Sequence, residues 1–346
     1  MEAILLVGGQ GSRLTPLTLT TPKPMLPVAN VPFTAHQIAK AKAAGITKII
    51  LSTSYKSEVF KGYFGNGQNF GIEIQYVTEE SPLGTGGAIR NVAGALESSD
   101  SEPVFIFNGD ILSSHSLENQ LANFQANNAA VSLHLIEVED PRPFGLVPTN
   151  DAGFVTQFLE KPTDDSQIVT NQVNAGCYIF RKKVIDSIRP DAVVSVEREV
   201  FPNLLIENQP IIGFVDNAYW LDLGTPASYL KGNIDIVTGV CQSPLVPHIG
   251  ASLISSSAVI AKTAKVSGGS AINAETILHN GVEVERSVLM NDCKIGENVK
   301  LEGCIVGNKV SISPNLTLRN VVIADGAQID KPLPDGVKVD SAGQIL

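Results

Sequence analysis

Apolar positions along the chain follow two different rhythms. Through the first two thirds, short solid apolar runs read as buried strands: 4–7, Lys48-Ile49-Ile50-Leu51-Ser52, 72–77 and 104–107. Between them, 35–44 is rich in alanine and closes at Gly45, as a helix with a glycine C-cap does, and 117–127 reads as a second helix. Strands separated by helices predict an α/β domain with a mainly parallel sheet covered on both faces. Ligands bind such sheets at the carboxyl ends of the strands. Near Gly239 the rhythm changes. Residues 239–252 (GVCQSPLVPHIGAS) form a proline-bearing linker, and beyond it single aliphatics stand among small polar residues. Ile260, Val266 and Ile272 are six apart, as are Ile295 and Leu301, Ile312 and Leu318, and Ile323 and Ile329. A six-residue aliphatic period predicts a parallel β-helix with one inward residue per short face. The register slips between these runs, so the coils are imperfect. The expected domains are 1–238, a linker at 239–252, and a β-helix over 253–346.

Composition narrows the functional classes. The 346 residues are 43% hydrophobic and 17% charged, which suits two globular domains with sizeable cores. A net charge of −10 excludes a general nucleic-acid binder, since phosphate backbones repel it. Cys177, Cys241, Cys293 and Cys304 form no C-x-x-C pair and read as reduced thiols. The first apolar run is too short for a signal peptide, and no stretch is long enough to cross a membrane. The expectation is a cytoplasmic protein without a membrane partner. The five histidines, at 36, 115, 134, 248 and 279, are scattered without metal spacing.

The first strand runs into Gly8-Gly9-Gln10-Gly11-Ser12-Arg13-Leu14. Glycines after a strand let backbone N–H groups approach phosphate. The spacing is neither a dinucleotide fingerprint nor a P-loop, because no G-K-[ST] follows. Arg13 and Lys23 supply two cations instead. On these residues alone a structural turn with solvated cations serves equally well. The longer segment, LLVGGQGSRLTPLTLTTPKPMLPVANVP, resembles the signature of the sugar-1-phosphate nucleotidyltransferase family. Further family-like runs follow in order: EESPLGTGGAI (79–89), FNGD (107–110), FLEKP (158–162), NAG (174–176) and WLDLGTP (220–226). TSYK (53–56) and VSVEREVFP (194–202) resemble its mannose-1-phosphate guanylyltransferase branch. One position departs from the pattern: Thr15 stands where the family usually has a second basic residue.

The resemblance implies a Rossmann-like nucleotidyltransferase domain followed by a left-handed parallel β-helix. It implies attack by a sugar-phosphate oxygen on the α-phosphorus of a nucleoside triphosphate, with GTP and mannose 1-phosphate as substrates. It assigns Arg13 and Lys23 to catalysis, and Leu6, Gly8, Gly9, Gly11, Ser12, Glu79, Gly84 and Thr85, with both cations, to the nucleotide. Gly109, Gly145, Glu160, Lys161 and Asn174 would hold the sugar phosphate. Asp110 and Asp222 would bind Mg2+, which takes one or two carboxylates and completes its shell with phosphates and water. Glu79 would read guanine, because an ionised carboxylate accepts from both N1–H and the N2 amine. A β-helix tail implies a homo-oligomer. Two alternatives stay open: a glucose-1-phosphate thymidylyl-, uridylyl- or adenylyltransferase, and a non-catalytic regulatory subunit of the same fold.

Overall fold

The computed structural model describes residues 1–9, 11–54, 56–160, 162, 164–247 and 249–346, and of Glu160 the backbone alone. Packing divides the chain into two compact units. The first comprises Met1–Gly9 and Ile38–Trp220; the second comprises Gln10–Gln37 and Leu221–Leu346.

Among the described residues, the first unit is built on a nine-stranded sheet. Its strands are β1 (Glu2–Leu6), β2 (Lys48–Thr53), β3 (Glu73–Thr78), β4 (Pro103–Asn108), β5 (Val131–Glu137), β6 (Gly145–Leu146), β7 (Leu159–Glu160), β8 (Gln172–Arg181) and β9 (Ile211–Val215). The order runs β7-β6-β8-β4-β1-β2-β3, with β5 on β8 and β9 on β5. The ladders β1–β2, β1–β4, β2–β3 and β5–β9 are parallel. The ladders made by β8, and the β6–β7 pair, are antiparallel. The sheet is therefore mixed, with its longest unbroken ladders parallel, as the solid apolar runs require of strands buried on both faces. Ile4, Ile50, Ile106, Leu133, Tyr178, Phe180 and Phe201 belong to one buried cluster. The helix Phe33–Ala43 ends as its sequence predicts: Gly45 takes φ +81, and its N–H donates to the Lys42 carbonyl.

In the second unit, three parallel sheets wind together as a left-handed β-helix requires. Inward residues stack coil on coil. Ile272, Leu289, Val306, Ile323 and Val339 line one side, Leu278, Ile295, Ile312 and Ile329 a second, and Val284, Leu301 and Leu318 the third. Corner residues one coil apart take positive φ, among them Asn298 at φ 58 and Asn315 at φ 64, joined by an Asn298–Asn315 amide hydrogen bond of 3.1 Å. These side chains tolerate the left-handed corner conformation better than branched residues do.

The segment 11–37 stands on this same unit. Its Ala29 N–H donates to Oδ1 of Asn233 at 2.8 Å, and Tyr229 donates its hydroxyl to the Pro27 carbonyl. Both partners lie on the helix Pro226–Thr238, which opens with a capping box at Thr225 and closes at Gly239 with φ +84. Asn30 Nδ2 donates to the carbonyl of Ile272, a core residue of the second coil, at 2.9 Å.

Candidate active site

In the first unit, the carboxyl end of β1 is held from both sides. Ser54 donates its hydroxyl to the Gly8 carbonyl at 2.6 Å, and the Gly109 N–H donates to the Leu6 carbonyl at 2.9 Å. A Cβ on Gly109 would collide with that Leu6 carbonyl, and one on Gly8 would sit 3.0 Å from Ser54 Oγ. Glycine is thus demanded by the protein's own backbone at Gly109, and tight packing favours it at Gly8. Asp110 follows in the turn after β4, half-buried.

Gly9 is different. A Cβ there would meet nothing within 4 Å, and its φ is not in the left-handed region. Nothing in the described fold requires glycine at this position, and its role toward a nucleotide is the expectation that substitution tests. Gly9→Ala is expected to leave the melting temperature within a few degrees, since a compatible Gly→Ala change stabilises by only about 0.4–1 kcal/mol. Nucleotide affinity should fall at least about tenfold. Calorimetric titration with nucleotide, beside a thermal melt, checks both; wild-type affinity would remove Gly9 from the site.

The run 79–87 is braced against 194–199. Gly86 and Gly87 N–H groups both donate to the Val194 carbonyl, at 2.8 and 3.2 Å. Gly84 takes φ +72, and its Cβ would stand 2.6 Å from that carbonyl. Thr85 Oγ1 donates to Glu197 at 2.9 Å and accepts from the Val196 N–H at 2.9 Å. The Thr85 hydroxyl is therefore engaged within the protein. The 194–202 run is visible in the sequence as family-like, but its bracing role is not. Glu79 accepts from the Leu83 N–H at 3.2 Å on one oxygen and from Ser52 Oγ at 3.4 Å on the other. Burial pushes its carboxyl above the ordinary carboxylate range, while those two hydrogen bonds pull the other way. A carboxylate has about four acceptor sites, so both oxygens keep capacity for a base.

The sugar-phosphate candidates share adjoining strands. Gly145 on β6 is the register partner of Glu160 on β7, and Leu146 pairs with Val173 on β8, beside Asn174. Asn174 sits where β8 loses register against β5. Its Oδ1 accepts from the Gly176 N–H at 3.1 Å, and its Nδ2 donates to Tyr178 OH at 2.9 Å, leaving one amide hydrogen. Trp220 donates its indole N–H to the Ala175 carbonyl at 3.0 Å. Lys161 and the Glu160 side chain lie outside the described residues.

In the second unit, Ser12–Leu14 forms one turn of 3-10 helix after Gly11, which has φ +64. A Cβ on Gly11 would stand 2.7 Å from Cβ of Lys23, so only glycine lets this turn close over that lysine. Lys23 is 9% exposed, and its Nζ lies 3.7 Å from Oδ1 of Asp222; Arg13 is 64% exposed, with Nη2 3.8 Å from Oδ2 of Asp222. The two cations thus flank one carboxylate. Gly224 leaves room for this, since its Cβ would come within 2.5 Å of Arg13 Nη2 and 2.9 Å of Asp222 Oδ1. Gly11, Arg13, Lys23 and Asp222 are brought together within one compact unit.

The Nucleotidyl transferase family model matches residues 2–239, and the GMPPB C-terminal domain model matches residues 248–334. The chain belongs to the nucleotidyl transferase family. It is 45% identical over 297 residues to the mannose-1-phosphate guanylyltransferase of Mycobacterium tuberculosis, covering 85% of this chain and 81% of that protein. It is 33% identical over 307 residues to probable mannose-1-phosphate guanylyltransferase 2 of Arabidopsis thaliana, covering 85% and 81%. Among solved structures, HddC from Yersinia pseudotuberculosis complexed with GMP-PN superposes with a TM-score of 0.56 at 28% identity, over 67% of this chain and 97% of that one.

The donor set of this nucleotidyl transferase fits a hard divalent cation. Asp222 is an oxygen donor of the kind such a cation prefers, and so, in the other unit, is Asp110. Among the described residues no group of three or more His, Cys, Asp or Glu could hold a metal ion.

Proposed function

We propose that this nucleotidyl transferase is a mannose-1-phosphate guanylyltransferase, converting GTP and mannose 1-phosphate to GDP-mannose and pyrophosphate. The observation that carries the reading is the pair of cations, Arg13 and Lys23, set around Asp222 beside a glycine loop that closes over the lysine. The high identity to guanylyltransferases along most of the chain supports the choice of substrates.

An anionic oxygen of the sugar phosphate attacks the α-phosphorus. A P–O bond forms as the bond to the β-phosphate bridging oxygen breaks, and pyrophosphate leaves with that electron pair. The attacking oxygen is already ionised, so no general base is needed. What the protein must supply is alignment and positive charge. Arg13, with its planar fork, suits the leaving pyrophosphate, and Lys23, a point charge, suits the α-phosphate. Loop backbone at Gly8, Gly9, Gly11 and Ser12, with Leu6, holds the nucleotide. Gly109, Gly145, Asn174, Glu160 and Lys161 take the sugar phosphate. Bound Mg2+ would neutralise phosphate charge, with Asp110 and Asp222 as its protein ligands.

Pyrophosphate release with mannose 1-phosphate or glucose 1-phosphate, against GTP, ATP, UTP, CTP and dTTP, tests the reading. The GTP–mannose 1-phosphate pair should lead. Preference for another pair moves the protein to a sister activity, and no release with any pair refutes catalysis. Glu79→Gln should erode the preference for GTP by about tenfold, because an amide donates where guanine also donates. In the parent enzyme, the KM for GTP should rise as pH falls through a Glu79 pKa higher than an ordinary carboxylate's, since the protonated acid accepts less. A flat pH profile and an unchanged preference would exclude Glu79 as the base reader.

Two further readings accompany this one. Cys177, Cys241, Cys293 and Cys304 are buried and form no disulfide with one another, which supports a reducing, cytoplasmic setting; no helix among the described residues is long and apolar enough to cross a membrane. The first β-helix coil leaves Ile254 and Val259 exposed, at 40% and 60%, which supports homo-oligomerisation through this domain. Sedimentation of the purified protein as a monomer at micromolar concentration would count against it.

A further inference from the structure

The turn that carries Arg13 is held by more than its own residues. Lys338, in the last β-helix strand Lys338–Val339, donates from Nζ to the carbonyl of Arg13 at 3.1 Å. Farther along the same loop, Thr20 Oγ1 donates to Oδ2 of Asp325 at 2.7 Å. Asp325 is itself oriented by Asn308, whose backbone N–H donates to Oδ1 at 2.7 Å and whose side-chain amide reaches both oxygens at 3.1 and 3.2 Å. The two anchors come from neighbouring coils, because Val322–Ile323 pairs with Lys338–Val339 and Asp325 follows directly in the turn. Loop and β-helix coils belong to one compact unit.

These contacts fall where the loop is least able to fix itself. Between Gly11 and Pro22 its one charged side chain is Arg13. That side chain is 64% exposed, so packing does not set its direction. Its aim depends on the backbone of the 3-10 turn, where the Leu14 N–H donates to the Gly11 carbonyl at 3.0 Å and the Thr15 N–H to the Ser12 carbonyl at 3.1 Å. The Arg13 carbonyl receives the Lys338 ammonium. A charged donor on a carbonyl is stronger than a neutral one, and here it ties down the peptide unit that sets the direction of the guanidinium.

We propose that Lys338 is a positioning residue for the nucleotide: by holding the Arg13 carbonyl it aims the Arg13 guanidinium at the triphosphate, with Asp325 securing the far side of the loop. The last coils of the β-helix thereby set nucleotide affinity from more than three hundred residues away in sequence. This rests on the reading of the glycine loop as the triphosphate site.

The test measures kcat, both KM values and the melting temperature for Lys338→Met, Lys338→Arg, Arg13→Ala and the Arg13→Ala/Lys338→Met double variant. Lys338→Met should raise the KM for GTP about tenfold, the effect of losing a charge-assisted hydrogen bond. The KM for mannose 1-phosphate should stay within about twofold, and the melting temperature should not move. Lys338→Arg should recover most of the loss. The double variant should bind GTP no worse than Arg13→Ala alone, because Lys338 acts through Arg13. Additive losses, equal rises in both KM values, or an unchanged GTP KM in Lys338→Met while Arg13→Ala raises it, would each overturn the positioning role. An unchanged GTP KM in Arg13→Ala would instead overturn the reading of the loop itself, and this proposal with it.

Discussion

Lys23→Met should lower kcat by about 10²–10³-fold, the usual loss when a preorganised charge is removed from a developing oxyanion. Lys23 is 9% exposed, covered by the Gly11 turn, and its ammonium lies 3.7 Å from Asp222. In that position it is screened from solvent and already oriented, so no reorganisation is needed as charge gathers on the α-phosphate. Methionine nearly conserves the buried volume. Asp222 keeps Arg13 at 3.8 Å on Oδ2, whereas its Oδ1, the oxygen facing Lys23, is buried and loses that cation. The melting temperature should therefore fall as well, but the protein should stay folded while turnover collapses. Steady-state kinetics beside a thermal melt separates these outcomes. A kcat within threefold of the parent would remove Lys23 from the chemistry.

Asp110→Asn should lower activity by at least about a hundredfold at limiting Mg2+, since even residues that only orient metal ligands are worth 10–100-fold. The amide keeps the shape of the turn after β4 and its place beside Gly109, whose N–H is tied to Leu6. What it loses is the negative charge that a hard cation requires. Raising Mg2+ should restore part of the activity, and the half-saturating Mg2+ concentration should rise. A Mg2+ titration that superposes on the parent's at unchanged activity would show that Asp110 is not a metal ligand.

The elements that could be read from sequence were those encoded by local pattern. The apolar runs expected as strands at 4–7, 48–52, 72–77 and 104–107 became Glu2–Leu6, Lys48–Thr53, Glu73–Thr78 and Pro103–Asn108, shifted by a residue or two at their ends. Strand ends move because the hydrogen-bond ladder, not hydropathy, terminates a strand. The β-helix was legible because each coil buries one aliphatic per face: of the inward residues expected, those at 272, 295, 301, 312, 318, 323 and 329 are buried, while Ile260 and Val266 in the first coil are only partly buried. The candidate site was legible in part, for a different reason. Glycines interrupting apolar runs marked places where the backbone is closely packed at Gly8 and Gly109, while the roles of Gly9 and Asp110 stay with the proposed function.

The sequence by itself determined the element types, the change of architecture near Gly239, and the candidate residues, because each is written in a window of a few positions. The tertiary structure alone decided which of those windows act on one another. It braced Gly84, Gly86 and Gly87 against Val194, and engaged the Thr85 hydroxyl with Glu197. It set Arg13 and Lys23 around Asp222, about two hundred residues along the chain. It brought Lys338 and Asp325 onto the loop of Arg13 and Thr20. No local pattern signals such pairs. A surface lysine at a coil edge looks the same in sequence whether it meets water or a carbonyl, and loop closure costs grow only slowly with separation, so distance along the chain neither forbids nor foretells the contact.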